Sequence, residues 1–283
     1  MGASDLIPGV SGGTMALILG VYEELIAALR AFGRESFWQA LSQGRLRAAS
    51  AVINGALLLP LLLGIATAIL ALSRVLGWLL EHHHLEVYGF FFGLIFASVF
   101  MVGRKVRSWQ AATITSFFLS AVLAYLVVGL RPTATPGSGW FLLLSGALAV
   151  CAFILPGISG AFVLVLLGKY SVILDAVNGG EVGTLALFGL GAAVGLISFA
   201  QVLSWLFRKH HDLILALLCG FMAGSLRKIW PWQGGNGAFI VPSLPNFGGN
   251  GLEIPSLLAI LLAVLGFASV FLLERRVSKN PIS

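Results

Sequence analysis

The chain has 283 residues, of which 58% are hydrophobic and only 10% are charged, and its net charge is +6. A soluble domain carries about 25% charged residues, so this composition excludes an ordinary soluble fold. The positive charge does not indicate nucleic acid, because the basic residues lie in short segments between apolar runs, as membrane insertion favours. No stretch that combines aromatic and basic residues resembles a binding site for RNA or DNA.

The first element in chain order is an apolar segment with a break in it, "ASDLIPGVSGGTMALILGVYEELIAAL", from Ala3 to Leu29. A near-copy, "CAFILPGISGAFVLVLLGKYSVILDAV", runs from Cys151 to Val177. Six residues are identical at a spacing of 148: Pro8, Gly9, Ser11, Gly12, Gly20 and Tyr22 recur as Pro156, Gly157, Ser159, Gly160, Gly168 and Tyr170. Proline removes a helical donor and glycine permits a turn, so each copy predicts a broken helix.

Further along the chain the spacing of the repeat falls from 148 to 127, where Trp78 and Gly93 match Trp205 and Gly220. The first half therefore carries 21 extra residues, and the basic, aromatic stretch at 30–50 is the natural place for them. Two interpretations stay open for this stretch. It is either an amphipathic segment at the membrane interface or an ordinary cytoplasmic loop.

Long charge-free runs predict membrane spans, because about 20 apolar residues cross a hydrocarbon core of ~30 Å. The runs are Ala48–Ser73, Ser108–Leu130, Pro132–Gly168, Val182–Phe207 and Ile254–Leu273. The sequence thus predicts an all-α polytopic membrane protein. Cys151 and Cys219 lie in apolar sequence and are interpreted as small core residues. The His82–His84 and His210–His211 clusters are expected in interfacial loops, and neither a metal site nor a cofactor is expected.

The distribution of loop Lys and Arg predicts how the second motif sits in the membrane. Its two arms, Trp140–Leu155 and Ala161–Leu174, would measure about 24 and 21 Å, which is short of a full crossing. If the motif returns to its own side, twelve loop Lys and Arg lie inside and three outside; if it spans, nine lie inside and six outside. The positive-inside rule favours the re-entrant hairpin.

The expected architecture is one transmembrane transporter domain, 1–283, built as an inverted repeat of 1–131 and 139–276. Each half contributes one re-entrant hairpin and three transmembrane helices. Inverted repeats with broken helices near the bilayer midplane are typical of secondary transporters.

A helix is predicted to begin after each Ser-Gly pair, over Thr14–Leu29 and Ala161–Val177. The first amides of a helix lack intrahelical acceptors and carry partial positive charge. We therefore expect the two breaks to cradle an anion such as phosphate. The predicted binding residues are Ser11, Gly12, Gly13, Thr14, Ser159 and Gly160. The alternative is that these residues only cap and pack the hairpins.

Ionisable residues within apolar segments are candidates for function because their burial in a membrane is costly. Asp5 is expected either to cap local amides or to carry a coupling proton, and Glu23 is a second candidate for coupling to protons or sodium. Lys169 is expected eight residues into its helix, where it either snorkels outward or attracts the phosphate. Arg227, beside Lys228, either captures an incoming phosphate or anchors the interface.

Four stretches resemble the PopT family of bacterial polyprenyl-phosphate transporters: "GASDLIPGVSGGTMALILGVYEEL", "PGISGAFVLVLLGKY", "GFFFGLIFASV" and "GFMAGSLRKIWPW". The resemblance covers essentially the whole chain, and the two motifs together are highly specific. It implies a flippase that returns undecaprenyl phosphate, the lipid carrier of cell-wall precursors, from the outer to the inner leaflet of the bacterial cytoplasmic membrane. The residues by themselves indicate only a transporter of an anion.

Two other functions stay open. Undecaprenyl pyrophosphate phosphatases also have re-entrant Pro-Gly-x-Ser segments, but theirs continue Ser-Arg-Ser, whereas Gly12 and Gly160 occupy the arginine position here and leave no guanidinium for a transition state. A transporter of a small soluble anion is the second.

The chain also departs from the family pattern, because no apolar arm precedes the first motif. We expect the natural protein to begin upstream of Met1 and to supply that arm.

Overall fold

The computed structural model describes residues 1–5, 11–133, 135–232 and 254–279. All regular secondary structure within these ranges is α-helical, which confirms the predicted all-α class. The helices are α1 (Gly2–Asp5), α2 (Gly12–Ile18), α3 (Tyr22–Ala31), α4 (Glu35–Ser42), α5 (Leu46–Val52), α6 (Gly55–His82), α7 (His84–Lys105), α8 (Ala111–Val128), α9 (Gly139–Ile154), α10 (Gly160–Leu166), α11 (Tyr170–Gly179), α12 (Val182–Ser225) and α13 (Ile254–Lys279). Pro8 and Gly9 of the first motif lie outside the described residues.

Four of the described helices, α6, α7, α8 and α12, are long and apolar enough to cross a membrane, and a fifth span results if the bent pair of α10 and α11 is counted as one. The chain is therefore a multi-pass membrane protein. Helix α12 has 44 residues and contains one residue with non-helical backbone angles, His210, at φ −138° and ψ 52°. This break divides α12 into two segments, 182–209 and 211–225.

The structure corrects the expectation that the histidine clusters lie in loops. His82 ends α6 and His84 begins α7, so only His83 separates these two helices. His210 marks the break inside α12, and His211 continues the helix. Polar residues follow a long apolar run at both positions, which predicts a turn, but each turn consists of a single residue rather than a loop.

Glycines at the contacts between long helices allow the backbones to approach closely. A Cβ atom added to Gly93 on α7 would overlap the carbonyl of Ala263 on α13, and one added to Gly220 on α12 would overlap α8 at Phe117. Gly191 gives α12 the same close approach to α9. Small residues favour such packing in membranes, where lipid leaves little hydrophobic drive between helices. These three helix pairs form the scaffold of the molecule.

The chain folds back on itself after α9. Helix α10 packs against α9, and a Cβ added to Gly160 would lie 2.5 Å from the carbonyl oxygen of Ala149. The far end of α10 returns to the segment that precedes α9, where the Thr133 amide donates to the Leu166 carbonyl over 3.0 Å. Helices α9 and α10 therefore form a hairpin, with arms of 16 and 7 residues.

The helices that follow the two motifs are shorter than predicted. The prediction of continuous helices over Thr14–Leu29 and Ala161–Val177 is wrong. The chain breaks at Gly20 and Gly168, whose φ angles are +76° and +60°. The axes of α10 and α11 consequently differ by 105°. Glycine adopts this left-handed conformation without steric cost, and a residue in it ends a right-handed helix. Hydropathy alone does not reveal these breaks, because apolar residues flank both glycines.

The 21 extra residues of the first half form two short helices, α4 and α5, rather than an irregular loop. Phe37, Ala40 and Ala49 are buried against one another. Trp38 is 55% exposed, and its indole nitrogen donates to the Phe32 carbonyl over 2.8 Å. One buried face and one exposed aromatic side chain fit the amphipathic interpretation.

Polar contacts gather at two separate ends of the helices. One group lies where α3 meets the break in α12, and we name it the histidine end: Glu23, Arg30 and His211. The other group lies beyond α10 and the second segment of α12, and we name it the lysine end: Lys169, Arg227 and Lys228. The second segment of α12 spans about 22 Å, which is the approximate separation of the two ends.

Candidate functional site

The two broken motifs lie directly against each other. The Ser11 hydroxyl donates to the Leu155 carbonyl over 3.1 Å. The Thr14 hydroxyl accepts from the Gly157 amide, also over 3.1 Å. We name these contacts between the motifs the central junction. Lipid cannot satisfy the backbone groups that a helix break exposes, so each motif supplies the partners that the other lacks.

Ser11 has a second role at the start of α2. Its backbone is extended, with φ −119° and ψ 138°, and its side-chain oxygen accepts from the Gly13 amide over 3.1 Å. This is the geometry of a helix N-cap. The Ser11 hydroxyl therefore both accepts and donates a hydrogen bond, and the Thr14 side chain is fully buried.

Gly13 and Tyr22 bring the first motif against the end of α9. A Cβ added to Gly13 would lie 2.6 Å from the Ile154 carbonyl oxygen, and the buried Tyr22 hydroxyl donates to the same oxygen over 3.2 Å. Gly160 has the equivalent tight contact with α9 at Ala149. Both glycines thus admit protein backbone, whereas the sequence predicts that they admit a ligand. For Gly13 and Gly160 the structure favours the packing alternative.

Ser159 differs from the other two hydroxyl residues of the motifs. It precedes α10 with an extended backbone and is partly exposed, and its side chain forms no hydrogen bond with any described residue. The first amides of α10 follow directly, and a helix start offers donors that have no intrahelical acceptor. Ser159 is therefore the motif hydroxyl that remains available to a ligand in this conformation.

Lys169 lies elsewhere than predicted. It does not lie inside a helix but in the break between α10 and α11, and it is only 5% exposed. Its Nζ donates to the Pro136 carbonyl over 2.8 Å and lies 5.5 Å from the centre of the Phe141 ring. The seven residues of α10 place Lys169 about 10 Å from Ser159. It fastens the break to the segment before α9 and neither snorkels nor contacts the central junction.

Arg227 and Lys228 rest on aromatic rings at the lysine end. The Arg227 guanidinium lies 4.3 Å from the centre of the Tyr125 ring and donates to the Tyr125 carbonyl over 3.1 Å. Lys228 lies 5.1 Å from the ring of Phe162, which belongs to α10. Cation–π contacts of this kind hold a cationic group in place. The structure thus concentrates positive charge beside the helix that Ser159 begins.

Glu23 contacts a residue that the sequence analysis did not connect with it. Its carboxylate lies 3.0 Å from His211 Nε2, and His211 Nδ1 lies 3.3 Å from the carboxylate of Asp212. Glu23 remains 57% exposed. A separation of 188 residues hides this pair from sequence reasoning. Asp5 ends α1, and its side chain lies outside the described residues.

Lys105 is a further residue of the site that sequence analysis missed. Its Nζ donates to the Leu17 carbonyl over 3.2 Å, at the end of α2. A basic residue is favourable there because the last carbonyls of a helix lack partners. Among the described residues, no group of three His, Cys, Asp or Glu is placed to hold a metal ion.

Comparison with known proteins gives matches over most of the chain. Residues 1–240 match the family described as undecaprenyl phosphate translocase-like. A polyprenyl-phosphate transporter of Vibrio cholerae serotype O1 is 41% identical over 235 residues, which cover 82% of this chain and 75% of that protein. A polyprenyl-phosphate transporter of Staphylococcus aureus is 30% identical over 250 residues, which cover 82% of this chain and 83% of that protein. No solved structure gives a significant match.

Proposed function

We propose that this chain, which belongs to the undecaprenyl phosphate translocase-like family, carries undecaprenyl phosphate from the outer to the inner leaflet of the bacterial cytoplasmic membrane. The matches to this family and to its two named relatives confirm the resemblance noted in the sequence. The two relatives named as polyprenyl-phosphate transporters support the substrate and favour transport over phosphatase activity. The central junction supports the proposed path of the phosphate, because it joins two helix breaks in the interior of an apolar protein.

We propose further that 1–131 and 139–276 form an inverted repeat, each with a re-entrant hairpin. At the spacing of 127 residues, α6 and α7 correspond to the two segments of α12, and α8 and α13 are the next described helices in their halves. Helix α7 of the first half packs on α13 of the second, and α12 of the second half packs on α8 of the first, so equivalent contacts join the two halves. Gly93 and Gly220, which are 127 residues apart, provide a close approach in each pair. This correspondence supports the repeat.

The histidine end faces the cytoplasm in this proposal, and the lysine end faces outward. Twelve of the fifteen loop Lys and Arg then lie on the cytoplasmic side, in agreement with the positive-inside rule. A phosphate that arrives from the outer leaflet meets Arg227 and Lys228 first. The Ser159 hydroxyl and the first amides of α10 come next.

The polyprenyl tail stays in the bilayer while the phosphate passes the central junction. An unpaired charge inside a membrane costs several kcal/mol or more, so the protein must replace the water around the phosphate. Ser159 donates first. When the motifs separate, Ser11 and Thr14 exchange their bonds with the second motif for bonds to the phosphate.

Rocking of the two halves then exposes the phosphate to the other leaflet, as alternating access requires. Glu23 and Asp5 are the proposed carriers of a coupling proton or sodium ion. Glu23 is suited to this role because it joins the first motif's helix α3 to the break in α12 through His211.

Transport is tested directly in proteoliposomes that contain the purified chain. We expect fluorescent polyprenyl phosphate to cross between the leaflets, and the matching polyprenol, which lacks the phosphate, to cross no faster than in protein-free vesicles. Uptake of inorganic phosphate in place of lipid movement would indicate the soluble-anion transporter. Release of phosphate from polyprenyl pyrophosphate would indicate the phosphatase.

The membrane orientation is tested with single cysteines in a background that lacks Cys151 and Cys219. A cysteine at Gly179 is expected to react with an impermeant thiol reagent from outside the cell. A cysteine at Lys209 is expected to react only after permeabilisation, because the first segment of α12 separates the two positions. Reaction of both cysteines from the same side would contradict the inverted repeat.

A further inference from the structure

A polar cavity lies at the histidine end, between α3 and the first segment of α12. Its volume is about 330 Å³. The residues that line it are Glu23, Ile26, Ala27, Arg30, Ser204, Phe207 and Arg208. It is separate from the central junction, because none of the motif residues from Ser11 to Thr14 or from Leu155 to Gly160 lines it.

Two arginines converge on one hydroxyl in this cavity. Arg30 donates to Ser204 Oγ over 3.3 Å, and Arg208 donates to the same oxygen over 2.9 Å. Ser204 lies one helical turn before Arg208, so α12 presents both side chains on one face. Because its oxygen accepts from the two guanidiniums, the Ser204 hydroxyl keeps its proton for a further acceptor.

The positive charge of this pair is not neutralised within the described part of the chain. No described carboxylate lies within 4.0 Å of Arg30 or Arg208. Burial, and then the like charges of Arg208 and Arg34, lower the pKa of the Arg30 guanidinium. Glu23 also lines the cavity, but its carboxylate lies 3.0 Å from His211. The cavity therefore has two positive charges that lack an acidic partner.

We propose that Arg30, Arg208 and Ser204 form a binding site for a phosphate monoester at the cytoplasmic mouth of the protein. Guanidinium groups match the oxygens of phosphate in forked geometry, and a monoester carries close to two negative charges at neutral pH. Ile26 and Phe207 give the cavity an apolar wall that suits a prenyl chain. The inference that the phosphate is attached to a lipid rests on the proposed function, whereas the inference that the site binds phosphate does not.

The arginine pair occurs in only one half of the sequence. The positions that correspond to Arg30 and Arg208 in the repeat are Asn178 and Glu81. Neither residue offers a positive charge, so the equivalent positions in the other half cannot attract a phosphate in this way. The site is therefore one-sided, and it receives the phosphate after the central junction has passed it on.

The test measures equilibrium binding of radiolabelled inorganic phosphate and of geranyl phosphate to the full chain in nanodiscs. Arg30→Gln and Arg208→Gln are each expected to weaken binding of both probes about tenfold, the usual effect of removing one hydrogen bond to a charged group. Arg30→Lys keeps the charge but loses the forked geometry, and its affinity is expected between those of the parent and Arg30→Gln. Tighter binding of geranyl phosphate than of inorganic phosphate assigns the site to the lipid, and equal binding assigns it to free phosphate.

The matched control is Arg47→Gln, which removes an exposed arginine of α5 from the same side of the protein. Salt screens exposed charges, so this change is expected to alter binding by less than about twofold. Binding that is unchanged in the Arg30→Gln/Arg208→Gln double variant overturns the inference, and so does an equal loss in Arg47→Gln. A chain that binds phosphate through Arg30 but fails to move lipid would refute the proposed function and leave this site standing.

Discussion

Replacing Gly13 with valine is expected to reduce transport of polyprenyl phosphate by a factor on the order of 100, the usual effect of displacing the groups of a site by about 1 Å. The valine Cβ would lie 2.6 Å from the Ile154 carbonyl oxygen. That oxygen belongs to backbone at the end of α9 and cannot turn away as a side-chain terminus can. The motifs must therefore move apart, which stretches the bonds of Ser11 and Thr14 across the junction. The measurement is the initial rate of lipid flipping in proteoliposomes.

The control for this substitution is Gly189→Val on α12. No atom of a described residue lies within 4 Å of a Cβ added at Gly189, so the new side chain contacts none of them. Overpacking costs about 1–3 kcal/mol, and we expect the melting temperature of Gly13→Val to fall while that of Gly189→Val changes little. A Gly13→Val protein that melts and flips like the parent would show that the two motifs need no close contact.

Replacing Ser159 with alanine is expected to weaken binding of polyprenyl phosphate by about 10- to 150-fold. The lost hydrogen bond to a charged acceptor is worth roughly 1.5–3 kcal/mol. The side chain of Ser159 bonds to no described residue, so its removal should leave the folded structure unchanged. The expected result is a loss of affinity and flipping with an unaltered melting temperature.

Two matched serine variants separate binding from folding. Among the described residues, the Ser198 hydroxyl bonds only to the preceding turn of α12, so Ser198→Ala is expected to preserve both flipping and stability. Ser11→Ala removes the N-cap of α2 and a bond across the junction, so it is expected to lower the melting temperature, because loss of the cap alone costs about 1 kcal/mol of folding free energy. Ser159→Ala at the parent affinity would remove Ser159 from the proposed path.

Composition and the duplicated motif predict the membrane class and the family because both depend on local sequence. The charge-free runs identify α6, α8 and α12, and the Pro-Gly-x-Ser-Gly pattern identifies both helix breaks. The sequence also names Ser11, Thr14 and Ser159 as one group. The structure gives their different environments: Ser11 and Thr14 bond across the junction, while Ser159 does not.

The remaining features depend on contacts between distant segments. The apolar residues around Lys169 predict a position inside a helix, but the left-handed Gly168 ends α10 just before it. The contact of Glu23 with His211 depends on how α3 packs on α12. The sequence likewise does not reveal the role of Gly13, because it does not distinguish a glycine that lets a ligand approach from one that lets protein backbone approach.

The single-residue turns at His83 and His210 have a consequence for how the chain can change in evolution. Each joins two helices through a single residue, so each helix pair is a stiff unit, and that residue fixes the angle between its two helix axes. An insertion at either turn would rotate one helix relative to its partner and misalign every contact along it. The 21-residue expansion lies instead between α3 and α6, where the chain runs outside these stiff units. Length variation among related chains should therefore concentrate between the units, and the two turns should keep their length.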